Sequence, residues 1–212
     1  MSGKFITFEG PEGSGKSTQI GLLAKKLEAQ GVEVFCTREP GGTSTGEAIR
    51  NILQHDAAGE ALGERAELLL FTASRAQLMD QVVLPALGDG TWVLCDRFID
   101  STLAYQGFAR GMDIATLDTI NEFAIHGRKP DLTILLDLDV ERGFQRLEER
   151  YSDGRESHDR FEREAREFHH RVRDGYHQLV QREPARFRTI DSDRPIADVS
   201  SDIWDAVKGA LL

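Results

Sequence analysis

Residues 10–18 read GPEGSGKST, and the reading of that run decides the fold. It matches G-x-x-x-x-G-K-[ST] from Gly10 to Ser17. In such a loop the glycines let consecutive backbone N–H groups turn inward around phosphate oxygens, a conformation that side chains would obstruct. Lys16 adds a mobile positive charge for β- and γ-phosphates, and Ser17 offers a hydroxyl to Mg2+. Gly10, Pro11, Glu12, Gly13, Ser14, Gly15, Lys16, Ser17 and Thr18 together form the candidate triphosphate cradle. Before it, the β-branched and aromatic run Lys4–Phe8 predicts a strand. After it, Ile20, Leu23, Ala24 and Leu27 recur at helical spacing up to Gly31. Strand, glycine loop and helix N-terminus follow in the order an anion site needs. One residue is out of keeping, because Glu12 puts a carboxylate into a cradle for anions.

Four further runs predict strands: Val32–Arg38, Thr91–Asp96, Asp131–Asp137 and Phe187–Asp191. Helical patterns separate them, and Ile196–Leu211 reads as an amphipathic closing helix. The expected architecture is α/β: a P-loop NTPase-type parallel five-stranded sheet with helices on both faces and a small lid. The 212 residues fit a single domain spanning 1–212. In such sheets ligands bind at the carboxyl ends of strands, so Arg38, Asp96 and Arg97 are expected to meet the loop in one cleft.

Composition narrows the classes. A net charge of −10 argues against a general nucleic-acid binder. The arginines crowding 142–188 share that stretch with acids, as a solvated helix surface does. Cys36 and Cys95 lie far apart in apolar runs and read as buried reduced thiols. The histidines show no zinc spacing. No apolar run approaches membrane-spanning length and no signal peptide opens the chain, so a soluble cytoplasmic protein is expected.

A P-loop alone names no activity, since kinases, GTPase switches, motor-type ATPases and ligases all use one. A guanine-specific switch needs N-K-x-D, and neither Asn51 nor Asn121 is followed by lysine. A non-catalytic nucleotide sensor would not need Lys16, Asp96 and Arg97 together. Asp96 closes the apolar run Trp92–Cys95, where a carboxylate can hold Mg2+ through water. Arg38 and Arg97 at neighbouring strand ends can clamp a second phosphate, unless each pairs with an acid such as Glu39. Phe71 and Arg75 lie one helical turn apart, offering a flat ring and a donor fork to a base edge.

Read together, FEGPEGSGKST (8–18), TREPGGT (37–43), FTASR (71–75) and DR-x3-S-x3-YQG (96–107) closely resemble the thymidylate kinases, in the same order. The likeness continues through RKPDLTILLDLD (128–139), DRFE (159–162) and IDSDRP (190–195). It implies phosphorylation of dTMP to dTDP by MgATP, within a homodimer of nucleoside-monophosphate-kinase-like domains, with neither a nucleic acid nor a membrane as partner. On the matching positions, Phe71 would stack on thymine and Arg75 would bond its O4. Ser101 and Gln106 would lie near the base edge, and Tyr105 where a ribose 2′-OH would need room. Arg38 and Arg97 would hold the monophosphate, and Ser17 and Asp96 the Mg2+. Phe98 is a departure, since relatives often have Tyr or His there. Glu12 fits this picture by pointing away from the triphosphate toward the acceptor sugar or a metal-bound water. Some relatives follow that acid with a catalytic arginine; this chain has Gly13. The transition-state charge is then expected from a lid at about 150–162, where Arg150, Arg155 and Arg160 flank Gly154. Arg150 and Arg160 match the family pattern best, and together with Lys16 and Arg97 they are the catalytic candidates. Arg146, one turn before Arg150, would reach the adenine or phosphates.

Overall fold

The computed structural model describes residues 3–55, 60–152 and 160–212. β1 (Phe5–Glu9) runs into the glycine loop and α1 (Lys16–Glu28). β2 (Val34–Arg38), α2 (Ser44–His55) and α3 (Glu64–Leu78) follow. A π-helical stretch, Met79–Val83, joins α3 to α4 (Leu84–Gly88), which leads to β3 (Trp92–Asp96). The short α5 (Ile99–Thr102) continues as a second π-helical stretch, Leu103–Ala109. Then come α6 (Ile114–Ala124), β4 (Leu132–Asp137) and α7 (Val140–Tyr151). α8 (Arg166–Arg182), β5 (Phe187–Asp191) and α9 (Ile196–Leu211) complete the described chain.

The five strands form one sheet in the order β2-β3-β1-β4-β5, and every pairing is parallel, as expected. Side chains alternate across β1. Ile6 and Phe8 join the layer under α1 and α9 with Leu23, Leu27 and Ile203. Phe5 faces the other way, against Leu78, Met79 and Phe98. A further core, with Tyr105, Val172 and Tyr176, fills the space between α8 and the second π-helical stretch. Both faces of the central strands are therefore covered, which is why they read as continuous apolar runs. Thr7 and Thr133 satisfy each other inside by a 2.8 Å hydroxyl contact.

Two expectations need correction. Cys36 is exposed, not buried; only Cys95 is a buried thiol. Cys36 lies on β2, which pairs only with β3 and is the sheet edge, so its neighbour Phe35 is also 42% exposed. The second strand also starts later than Val32, because Val32 N donates back to Leu27 O and closes the turn that follows α1. Of the expected lid, Gly154 and Arg155 lie outside the described residues.

Register sets the site. Phe8 and Arg38 both pair with Asp96, so the ends of β1, β2 and β3 stand on one rung. The chain leaves β1 for β2 on one side and later places β4 on the other, so the crevice opens above β1. There the loop rests on α7 through facing glycines. A Cβ at Gly13 (φ 72) would stand 2.5 Å from Gly143 O, and one at Gly143 would stand 2.5 Å from Glu12 O. No side chain fits at Gly13 while α7 holds this position, which gives a steric reason for the absent loop arginine.

Gly143→Ala is accordingly expected to cost about 1–3 kcal/mol of stability, since backbone must move on one side or the other. Urea unfolding measures this; a midpoint unchanged from the parent would mean that the contact yields freely.

Candidate functional site

Above β1, β2 and β3 the structure opens into a cleft of about 820 Å³. Its floor on one side is the glycine loop from Glu12 to Thr18, with Arg146 and Arg150 of α7. On the other side stand Arg38, Phe71, Arg75, Arg97, Ser101, Tyr105 and Gln106. The rung at the strand ends gathers the loop, Arg38 and Arg97, while α3 and the run from α5 into the π-helical stretch bring the others to the same cleft.

The loop half is built for anions. Gly10, Gly13 and Gly15 have φ of 139, 72 and 88, so the backbone turns where other residues resist. α1 begins directly after Gly15 with no side-chain cap and no acid in its first turn. By contrast, Asp113 and Asp139 cap α6 and α7 with their own carboxylates. The uncapped N–H groups of α1 and its dipole thus remain available for a ligand. Lys16 Nζ folds back on Gly10 O (3.1 Å), Pro11 O (3.0 Å) and Ser14 Oγ (3.4 Å). Burial, then the nearby Arg97 charge, lower the Lys16 pKa against the pull of Glu12, Asp96 and Glu9. Arg146 braces the loop by donating to Gly13 O (3.3 Å) and to Ser192 O (3.0 Å).

Ser17 Oγ donates to Asp96 Oδ2 at 2.7 Å. A hydroxyl and a carboxylate at the mouth of a phosphate cradle are hard oxygen donors, and they fit a magnesium ion that completes its shell with water and phosphate. Among the described residues no cluster of three or more His, Cys, Asp or Glu forms a protein-only metal cage.

Glu12 lies between the two halves and faces away from the cradle. Its Oε1 accepts from Arg97 Nη2 at 2.6 Å and from the Tyr105 hydroxyl at 2.8 Å. Burial would raise its pKa, but Arg97, Lys16 and the Tyr105 hydroxyl together hold it down at about 2. Arg97 has φ 67, a left-handed backbone that a non-glycine residue adopts only when its surroundings enforce it. Its N–H continues the sheet ladder to Phe8 O at 2.9 Å, which accounts for the constraint. From there the guanidinium also reaches Ser101 Oγ (3.2 Å) and Tyr176 OH (3.3 Å), and lies 5.0 Å from the Tyr105 ring centre.

Beneath this arginine is Glu9, a fully buried carboxylate that the sequence reading did not single out. It accepts from Phe98 N (2.8 Å), Ser101 Oγ (2.6 Å) and Tyr176 OH (2.9 Å). Burial and the neighbouring Asp100 push its pKa to about 7, against the pull of Ser101, Arg97 and Tyr176. The signal was in the first motif, where Glu9 ends a wholly buried strand, but a strand-end acid has no readable direction in one sequence.

The arginines are engaged differently from the simplest expectation. Arg38 pairs with Glu47 at 2.8 Å, not with Glu39. Glu39 instead holds Arg75, whose Nε and Nη2 reach it at 2.8 and 2.6 Å. The other Arg75 donors go to Thr102 Oγ1, Asn121 Oδ1 and Phe98 O. Arg75 lines the cleft, yet every guanidinium N–H has a partner, so a ligand oxygen must share or displace one. Phe71 tilts against Phe161, ring centres 5.6 Å apart, and both line the cleft. Arg150 is at the cleft wall beside Tyr151. Arg160 is not brought to the cleft wall in this conformation: it pairs with Glu67 at 2.6 Å and donates Nε to Leu53 O at 3.0 Å. Sequence reasoning gave no role to Arg50, Thr102 or Glu162 at the cleft: Arg50 lies in no recognised motif, Thr102 at an unspecified position of DR-x3-S-x3-YQG, and Glu162 at the end of DRFE.

The family model described as "Thymidylate kinase" matches residues 8–203. A thymidylate kinase of Halothermothrix orenii is 50% identical over 212 residues, covering 100% of both chains. One of Pelotomaculum thermopropionicum is 52% identical over 211 residues, covering 100% of this chain and 95% of that one. The crystal structure of thymidylate kinase from Ehrlichia chaffeensis superposes with a TM-score of 0.76 at 35% identity, over 98% of this chain and 99% of that one.

Glu9 makes a pH prediction. Its folded pKa of about 7 lies above the ordinary 4.5, so between those values the native state keeps a proton that the unfolded chain has lost. Stability from this group therefore falls as pH rises from 4.5 through 7. Glu9→Gln should flatten that decline, and melting temperatures across the window measure it. An unaltered slope would show that Glu9 does not titrate there.

Proposed function

The chain belongs to the thymidylate kinase family, and from that membership we propose how its cleft divides the work of transferring a phosphoryl group from ATP to dTMP. The enzyme is a phosphotransferase that makes dTDP for dTTP synthesis. The observation that carries the division is Glu12. A loop carboxylate already tied to Arg97 and Tyr105 marks the side where the acceptor sugar and phosphate lie. ATP takes the side of the uncapped α1 N-terminus, with Lys16 on its β- and γ-phosphates and Arg146 near the nucleotide. Arg97 and Arg38 hold the dTMP phosphate, each exchanging a carboxylate partner for the substrate's oxygens. Phe71 stacks on thymine, with Arg75, Ser101 and Gln106 along its edge, and Tyr105 fills the space a ribose 2′-OH would need.

The nucleophile is an oxygen of the dTMP phosphate, whose second pKa of about 6 leaves it largely ionised at neutral pH. No general base is needed, and none is assigned. Ser17 and Asp96 would hold Mg2+, which would supply charge neutralisation on the triphosphate. What the chain's own residues do is align two anions, offset their repulsion with Lys16 and the arginines, and exclude water. With Gly13 closed to any side chain, the remaining positive charge comes from Arg150 or Arg160. Arg150 needs no rearrangement to reach the cleft; Arg160 must leave Glu67. A homodimer is the proposed assembly, supported by Leu69 on α3 and Phe123 on α6, apolar side chains 59% and 83% exposed. The proposed setting is the cytoplasm. Among the described residues no helix is long and apolar enough to cross a membrane.

A coupled assay of ATP consumption with dTMP, dUMP, dCMP and dGMP should give dTMP the highest kcat/KM. In the same assay Lys16→Met should lower kcat by at least about 10²–10³ while circular dichroism stays unchanged. A higher kcat/KM for dCMP, or a Lys16→Met enzyme with most of its activity, would refute this assignment.

The arginine roles separate in single alanine variants. Removing the arginine that meets the transferring phosphoryl should cost about 10³-fold or more in kcat with dTMP affinity nearly unchanged. Arg97→Ala should weaken dTMP binding as well, measured by calorimetry. If neither Arg150→Ala nor Arg160→Ala lowers kcat by tenfold, the lid is only a cover.

A further inference from the structure

Gln106 stands on the proposed acceptor side of the cleft, with Phe71, Arg75 and Tyr105. A side-chain amide presents a donor and an acceptor side by side, and it exchanges them by turning half a circle about its last bond. Thymine offers an N3–H donor flanked by carbonyl oxygens. Cytosine offers at the same edge an N3 acceptor beside an exocyclic NH2 donor. One amide orientation suits the first base and the turned orientation suits the second.

Gln106 is not free to turn. Its Nε2 donates to Glu67 Oε1 at 2.7 Å. Glu67 is 1% exposed, and its oxygens also accept from Arg110 Nε at 2.9 Å and Nη2 at 3.1 Å and pair with Arg160 at 2.6 Å. Burial favours its protonated form, but Arg110, Gln106 and Arg160 outweigh that and hold its pKa below the usual value. An ionised carboxylate only accepts. A turned amide would set Gln106 Oε1 against it, two proton-free oxygens in a buried place where their repulsion is poorly screened.

We infer that Glu67 is a positioning residue for the choice of acceptor base: it fixes the Gln106 amide so that Oε1 meets an N3–H donor, and it denies the orientation that cytosine needs. This is specificity by exclusion, supplied from behind the residue that touches the ligand. It rests on the assignment of this half of the cleft to dTMP.

The test is the ratio of kcat/KM for dTMP over dCMP. Glu67→Gln keeps the shape but can donate to a turned Gln106, and it should lower the ratio at least tenfold. Arg110→Ala, which removes another partner of Glu67 and loosens the same corner, should lower the melting temperature and leave the ratio within threefold of the parent. A smaller fall in Glu67→Gln, or an equal fall in Arg110→Ala, overturns the inference. A parent enzyme with no preference for dTMP would instead overturn the assignment of the cleft. Should Glu67→Gln not fold, 15N spectra of the parent decide. The Gln106 side-chain NH2, assigned by its loss in Gln106→Leu, should keep its hydrogen-bonded proton downfield under saturating dTMP and under saturating dCMP. Loss of that shift with dCMP means the amide turns, and the inference fails.

Discussion

Arg97 and Glu12 meet at 2.6 Å where the phosphate loop adjoins the acceptor pocket, and much of the site depends on that contact. It commits the one loop carboxylate to the far side of the cradle, so the α1 N-terminus faces its ligand without a competing charge. It also holds a guanidinium that springs from a left-handed backbone at the end of β3. Neither charge is well solvated, and each would be costly without the other. Tyr105 donates to the same oxygen, so the wall of the proposed acceptor pocket is tied to the glycine loop. On the proposed division of the cleft, the two substrates share one ion pair as their boundary.

The same logic recurs around the cleft. At its wall Arg38 is held by Glu47 and Arg75 by Glu39, and behind it Arg160 is held by Glu67. A site that binds two polyanions needs several arginines in a small volume, and they would repel one another before the anions arrive. Carboxylates within the chain fill that role, in keeping with a net charge of −10 on a protein whose ligands are themselves anions. The pairs differ in what they allow. Arg38 and Glu47 are about half exposed and can part at little cost. Arg75 and Glu39 are buried and saturated, so they act as a fixed wall.

Close approach of backbones sets the remaining limit. Where the loop touches α7, Gly13 and Gly143 leave no space for a side chain on either. The proposed catalytic charge therefore falls to α7 and the residues that follow it rather than to the loop. Arg150 lies at the cleft and Arg160 at a buried acid, two starting points for the one proposed role. The π-helical winding of Leu103–Ala109 acts similarly on the proposed acceptor side. It pairs Arg110 N with Tyr105 O, and from this turn Gln106 reaches Glu67 while Tyr105 reaches Glu12.

By itself the sequence determined the elements and the order in which they meet the ligand. Lys4–Phe8, GPEGSGKST and the Ile20–Leu27 stripe are local patterns, and local patterns report the backbone each can adopt. The parallel sheet followed from strands separated by helices, and the gathering of Arg38, Asp96 and Arg97 from their places at strand ends. Even the direction of Glu12 was legible, because like charges at short range leave it one way to face. What only the tertiary structure decided is pairing. Whether Arg38 meets Glu39 or Glu47, whether Cys36 is covered, and whether Glu9 and Glu67 lie beneath the site depend on packing that local pattern does not show, such as Arg75 taking Glu39 from 36 positions away. A carboxylate's chemistry is written in its formula, but its role comes from the donors that packing brings to it.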